Sequence, residues 1–251
     1  MVSLSNSLSF ISSPLDQFEI RTLLSLDAPI LANMEITVTN IGFYLIVGVS
    51  IAFILNGLAT NYYQITIYAT IHSIVVNQIN RTKGQIYFPF IFSLFIFILV
   101  NNLIGMIPYG FASTSHFVLT FSISFTIVLG ATILGLQKHG LEFFSLFVPA
   151  GCPLALLPLL VLVEFLSYVS RNVSLGLRLA ANIVAGHLLL HILSSLTYNI
   201  MTSGFIFFFM ALLPLSFVIA FSGLELAIAF IQSQVFVVLT CSYIKDALEL
   251  H

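Results

Sequence analysis

The sequence predicts an all-α integral membrane protein, with about three ordinary spans, one interfacial amphipathic helix and two very long apolar helical segments. Composition gives the first reason. Of the 251 residues, 59% are hydrophobic and only 6% charged, whereas a soluble domain carries about 25% charge. The second reason is pattern. The apolar runs reach about 20 residues without alternation, which fits spanning helices and not barrel strands. In lipid the backbone must satisfy its own hydrogen bonds, and a helix does so within one segment. The net charge is −2 and no basic stretch exists, which excludes nucleic acid as a partner. Cys152 and Cys241 form no metal or redox motif and read as small apolar core residues. Tryptophan is absent, so an interfacial belt must come from the nine tyrosines.

Residues 1–40 are the most polar part. Residues 1–13 are Ser-rich but lack the basic region that a cleaved leader would carry. Asp16, Glu19, Arg21, Asp27 and Glu35 gather around Pro14 and Pro29, which reads as a loop or a short surface helix outside the bilayer. Residues 41–58 form a first span. Over residues 61–79, Ile67, Tyr68, Ile71, Ile74, Val75 and Ile79 recur at helical spacing, and Gln64, Thr70, Ser73 and Asn77 fill the other side. Such a helix lies in the interface. Residues 88–108 form a second span, with Asn102 near its end as a candidate channel-lining residue. Residues 116–136 form a third. Arg81, Lys83 and Lys138 fall on one face, which the positive-inside rule assigns to the cytoplasm or the mitochondrial matrix. The N-terminal segment then lies on the opposite face.

Residues 154–195 and 205–243 are each helical in pattern and about 40 residues long, or about 60 Å as a straight helix. The hydrocarbon core is about 30 Å thick. Each piece is therefore either two spans with a hairpin inside it or one long, steeply tilted helix. Breaks are conceivable at residues 170–174 and at Ser222-Gly223, but neither has secure turn chemistry. The Phe-rich runs at 95–97 and 205–209 read as lipid-facing.

Between residues 154 and 243 the only charged residues are Glu164, Arg171, Arg178 and Glu225. An intramembrane arginine costs about 2.5–3.5 kcal/mol at a helix centre and marks a functional site. On the helical wheel Arg178 and Asn182 share a face, and Arg171 and Glu164 extend that stripe. His187 falls nearly opposite Arg178, with His191 one turn further on. In the second long segment Glu225, Gln232 and Tyr243 share a face. Carboxylates and imidazoles take up and release protons, whereas arginine does not. Two polar stripes divided by a permanent cation describe two aqueous half-channels and a barrier. The plainer alternatives are core histidines at His187 and His191, a metal or haem pair there, and helix–helix hydrogen bonding by Asn182 and Gln232.

The stretch Ser174-Leu-Gly-Leu-Arg178-Leu-Ala-Ala-Asn182-Ile-Val-Ala-Gly-His187, with Glu225 and Gln232, resembles the signature of the subunit a family of F-type ATP synthases. Ser13-Pro-Leu-Asp-Gln-Phe-Glu19, Ile104-Gly-Met-Ile-Pro108-Tyr and Phe147-Val-Pro-Ala-Gly151 resemble its mitochondrial, especially fungal, versions. The resemblance spans nearly the whole chain. It implies a hairpin of two long, steeply tilted helices over residues 137–251 carrying the proton path, three spans with an interfacial helix over 41–136, and residues 1–40 on the intermembrane-space side. It implies a stator subunit of the mitochondrial inner membrane, surrounded by lipid, that works against a c-subunit ring beside peripheral-stalk and other membrane-sector subunits. Arg178 would face the ring carboxylate. His187 and Glu225, with Asn182, Gln232, His191 and Asn102, would belong to the path. Glu164 and Asp246 would serve the matrix side. No cofactor is implied, and the chain would not be an enzyme by itself. The rivals are a haem- or quinone-bearing redox subunit and a secondary transporter. The first needs histidines on facing helices, and the second needs an internal repeat that is not visible.

Overall fold

The computed structural model describes residues 15–28, 34–58, 62–79, 84–107, 110–148 and 156–248. Arg81, Lys83, Pro108 and Cys152, used above, lie outside them.

The polar N-terminal segment is a β-hairpin, not the expected loop or surface helix. After a one-turn helix at Asp16–Phe18, β1 (Thr22–Ala28) pairs antiparallel with β2 (Met34–Thr39), Ser25 opposite Thr37 and Ala28 opposite Met34. Ile36, Thr37, Val38 and Thr39 are β-branched and favour a strand. Asn40 then joins the hairpin to the first helix. Its Nδ2 donates to the Glu19 carbonyl at 2.9 Å, and its Oδ1 accepts from the backbone N–H groups of Arg21 and Ile41 at 3.2 and 3.0 Å. An isolated two-stranded hairpin is marginal in water, and this one is anchored where β2 packs on that helix.

Helix α1 spans Asn40–Leu58 and α2 Tyr62–Ile79. The expected amphipathic pattern of α2 is present: Ile71, Val75 and Ile79, four apart, are each 2% exposed or less, while Tyr68, Ala69, Thr70 and Ser73 are exposed. Its buried face lies against α3 (Gly84–Gly105) and α7 (Leu212–Leu248). Helix α4 is Phe117–His139 and α5 is Leu157–Thr202. Four helices are long and apolar enough to cross a membrane: α3, α4, α5 and the stretch Phe207–Leu248. Helix α1 contributes a shorter apolar helix.

The two long segments are long helices. Helix α5 runs unbroken for 46 residues and α7 for 37, about 69 and 55 Å at helical rise. Residues 170–174 and Ser222-Gly223 are helical throughout. A 69 Å rod passes a 30 Å apolar layer only at steep tilt or by projecting beyond it. Gly204, at φ 154°, turns the chain into the short α6 (Phe205–Met210), which leads into α7.

The C-terminal half of α7 is the axis of the fold. Val237, Cys241, Ile244 and Leu248 pack with Ile71, Ile91, Phe95 and Leu99 of α2 and α3. Phe236, Tyr243 and Ala247 pack with Ile127, Ala131, Leu175 and Leu179 of α4 and α5. Phe95 is thus core, 2% exposed, not lipid-facing as its Phe-rich run suggested. Phe207, Phe208 and Phe209 are exposed as expected. Hydroxyls tie α4 to α5: Ser124 donates to Asn172, at 2.6 Å from its Oδ1, and Thr132 Oγ1 lies 2.8 Å from Tyr168 OH. At the far end Lys138 Nζ donates to the Leu248 carbonyl at 2.7 Å. A cation there satisfies a terminal carbonyl and offsets the negative end of the helix dipole.

Candidate functional site

Where α5 crosses α7, polar side chains meet inside the bundle. Asn182 Nδ2 on α5 donates to Gln232 Oε1 on α7 at 3.0 Å. One and a half turns along α5, His187 Nε2 faces Glu225 Oε1 at 3.7 Å, with side chains only 17% and 10% exposed. That separation exceeds hydrogen-bond range, so the two groups are close without being bonded to each other. Gly186, with no side chain, leaves room for the Glu225 carboxylate. A Cβ there would fall 2.7 Å from Glu225 Oε1 and 3.0 Å from its Cδ. The carboxylate therefore lies against the backbone of α5.

Asn102, from the end of α3, closes the third side. Asn102, Asn182, His187, Glu225 and Gln232 line one cavity with Met106, Ile183, Ile228 and Ala229. It is a narrow space of about 10 Å³, about one water's worth of room. Several buried polar atoms around it have no partner among the described residues: both amide atoms of Asn102, Glu225 Oε2 and Gln232 Nε2. Each buried, unsatisfied group costs about 1–3 kcal/mol. Such a set is characteristic of a place that water or a transferred proton visits.

The wheel put His187 nearly opposite Arg178 and so separated its stripe from that of Asn182. The structure instead brings Asn182 and His187 to one cavity. Five residues apart, they differ by about 140°. They sit at the two edges of the face of α5 that meets α7, with Ile183 and Gly186 between them.

Arg178 lies about 40° beyond the Asn182 edge of that face and is exposed. Among the described residues no hydrogen bond or ion pair engages it. About two turns lower the partnering changes: Arg171 Nη1 lies 3.6 Å from Asp246 Oδ2, joining α5 to α7 at a half-exposed position. Glu164 is partly exposed on α5, outside the central cavity. His191, one turn beyond His187, is partly exposed and also outside the cavity. Among the described residues no three His, Cys, Asp or Glu side chains gather to hold a metal ion.

Sequence reasoning missed several contributors. Gly186 stands beside a noted histidine, yet its role depends on a helix crossing. Phe18 sets its ring edge-on to His187, the centroids 6.3 Å apart, a contact between segments far apart in the chain. Residues 111–115, which connect the second and third predicted spans, are buried, and His116, read as the start of the third span, is partly buried. A run of three hydroxyl residues and a histidine in so apolar a chain was the available signal. Burial holds the His116 imidazole below its ordinary value, so the ring is neutral at neutral pH.

Fold and site together define a multi-pass helical membrane protein whose ionisable side chains meet between two long helices, beside an arginine turned outward. The chain belongs to the family described as ATP synthase A chain, which it matches over residues 28–245. It is similar to ATP synthase subunit a of Podospora anserina, 71% identical over 250 residues that cover 96% of this chain and 95% of the relative. It is similar as well to ATP synthase subunit a of Emericella nidulans, 71% identical over 252 residues (97% of this chain, 98% of the relative). The Neurospora crassa protein of the same name is 68% identical over 260 residues, covering 100% and 99%. These relationships do not favour a redox subunit or a secondary transporter.

Proposed function

We propose that this chain is the stator subunit through which protons cross the membrane sector of a mitochondrial F-type ATP synthase, working against a ring of c-subunits in the inner membrane. The observation that carries the reading is Arg178. It is a permanent cation on a membrane-spanning helix, exposed on the side of α5 next to Asn182, which hydrogen-bonds to Gln232, and near the nearly buried His187–Glu225 pair. An unpaired cation at that depth needs a counter-charge, and the described residues of this chain supply none. A carboxylate on a passing ring subunit answers that need.

The mechanism follows from elementary electrostatics. A proton reaches the cavity and is held by Glu225 and His187, the two groups there that take up and release protons. From the cavity it passes to a ring carboxylate. Neutralised, that carboxylate enters lipid cheaply; ionised, it does not. Arg178 favours the ionised form and blocks a direct path from one side to the other. After nearly a full turn the ring carboxylate releases its proton toward the opposite side, where Glu164 and Asp246 are the acids of this chain. Asp246 is oriented there by Arg171. Each proton driven across 100 mV supplies about 2.3 kcal/mol. The chain itself forms and breaks no bond of ATP; it acts as a part of the complex. His191 extends the histidine side of α5 by one turn, toward the side from which protons arrive.

The test is Arg178→Ala in the assembled complex. Proton-driven ATP synthesis is lost while the complex still assembles. Normal coupled synthesis in that variant would refute the mechanism.

A further inference from the structure

We infer that the buried turn Ser113–Ser115, with His116, forms the water-lined outer access to the cavity, and that Thr114 and His116 are positioning residues that hold the water there. The inference rests on the proton-conducting reading above and adds residues to it.

The hydroxyls of this chain show what is unusual about Thr114. Ser93, Ser122, Thr126, Ser216 and Ser222 each donate to a carbonyl three or four residues back in their own helix. That is the ordinary way a hydroxyl is satisfied in an apolar setting. Within the turn, Ser115 Oγ donates to the Ala112 carbonyl at 2.6 Å and Ser113 Oγ to Asn101 Oδ1 at 3.3 Å. Thr114 does neither. It is 1% exposed, and its hydroxyl has no partner among the described residues. His116 Nε2 is buried and unpartnered in the same way.

The turn adjoins the cavity. It packs against α1, α3, α4 and α5. Gly105 permits the approach: a Cβ there would lie 3.0 Å from the Ala112 Cβ and 3.9 Å from His187 Nε2. The turn and the cavity histidine thus meet over one backbone position of α3. Asn101, bonded to Ser113, is followed by Asn102, whose whole amide is unsatisfied in the cavity wall. Phe111 stacks on His116 with centroids 5.4 Å apart, and Tyr44 backs Phe111 at 6.0 Å. Those rings fix the imidazole, leaving Nε2 to hydrogen-bond with something other than protein. The unpartnered groups of His116, Thr114 and Asn102 follow the chain from the surface end of α4 into the cavity. A dry, purely structural turn would have satisfied Thr114 internally, as its neighbours are.

The test uses the assembled complex in mitochondria whose outer membrane has been opened. Thr114→Cys is treated from outside with a membrane-impermeant methanethiosulfonate. Proton-driven ATP synthesis falls about tenfold on treatment, and the parent chain, with Cys152 and Cys241 alone, changes little. His116→Leu conducts more slowly than His116→Gln, since only the amide can hydrogen-bond to water. A Thr114→Cys complex that makes ATP and ignores the reagent overturns the inference. If Thr114→Cys does not assemble, the His116 pair decides, and equal rates for Leu, Gln and parent overturn it. Absence of proton-driven synthesis in the parent complex would instead sink the underlying reading.

Discussion

His187 on α5 and Glu225 on α7 face each other at 3.7 Å across a helix crossing where Gly186 leaves room for the carboxylate. Their side chains are nearly buried, yet Glu225 Oε2 has no partner among the described residues. The pair holds two proton-carrying groups close without locking them together. A short, fully satisfied salt bridge would be more stable and less able to exchange a proton.

Glu225→Gln keeps the shape and removes the titratable oxygen. Proton-driven ATP synthesis is expected to drop about a hundredfold, the low end of what a positioned proton-transfer group contributes. Flux through reconstituted complex in energised vesicles measures this. An unchanged flux would remove Glu225 from the path.

Gly186→Ala adds one methyl group where the Glu225 carboxylate now lies, 2.7 Å from Oε1. The carboxylate is the mobile end of a flexible side chain, so it swings away and the helices stay packed. Assembly persists, and conduction falls about tenfold. Blue-native electrophoresis alongside the rate separates the two effects. Loss of assembly with normal specific activity in the residue would show that Gly186 serves packing alone.

The Asn182–Gln232 hydrogen bond joins the two long helices inside the membrane. Interhelical bonds of this kind average about 0.6 kcal/mol and reach about 1.7. A double-mutant cycle of Asn182→Ala and Gln232→Ala, read by thermal unfolding of the detergent-solubilised complex, should give a coupling in that range. A coupling of zero would mean that the two side chains act independently.

The sequence by itself determined the class of fold and most of the site's cast. Hydropathy picks out α3, α4, α5 and α7 as apolar helices, because a 20-residue apolar run has few other solutions in lipid, whereas the first predicted span, residues 41–58, is a shorter apolar helix. Arg178, His187, Glu225 and Gln232 were conspicuous because each is costly where it stands. Tertiary structure decided how these residues combine. A helical wheel gives angles about one axis but not where another helix crosses it. Asn182 and His187, read as belonging to different stripes, therefore meet one cavity at the two edges of a single contact face. Phe95, read as lipid-facing, is buried because α7 lies over that side of α3. The hairpin at residues 22–39 and the buried turn before α4 depend on contacts with distant segments, which local composition does not record. Whether each long segment was one helix or two was open to local reading. The backbone stays helical through residues 170–174 and Ser222-Gly223, and in α5 the burial of Leu175, Gly176 and Leu179 just beyond the first candidate break favours an unbroken helix there.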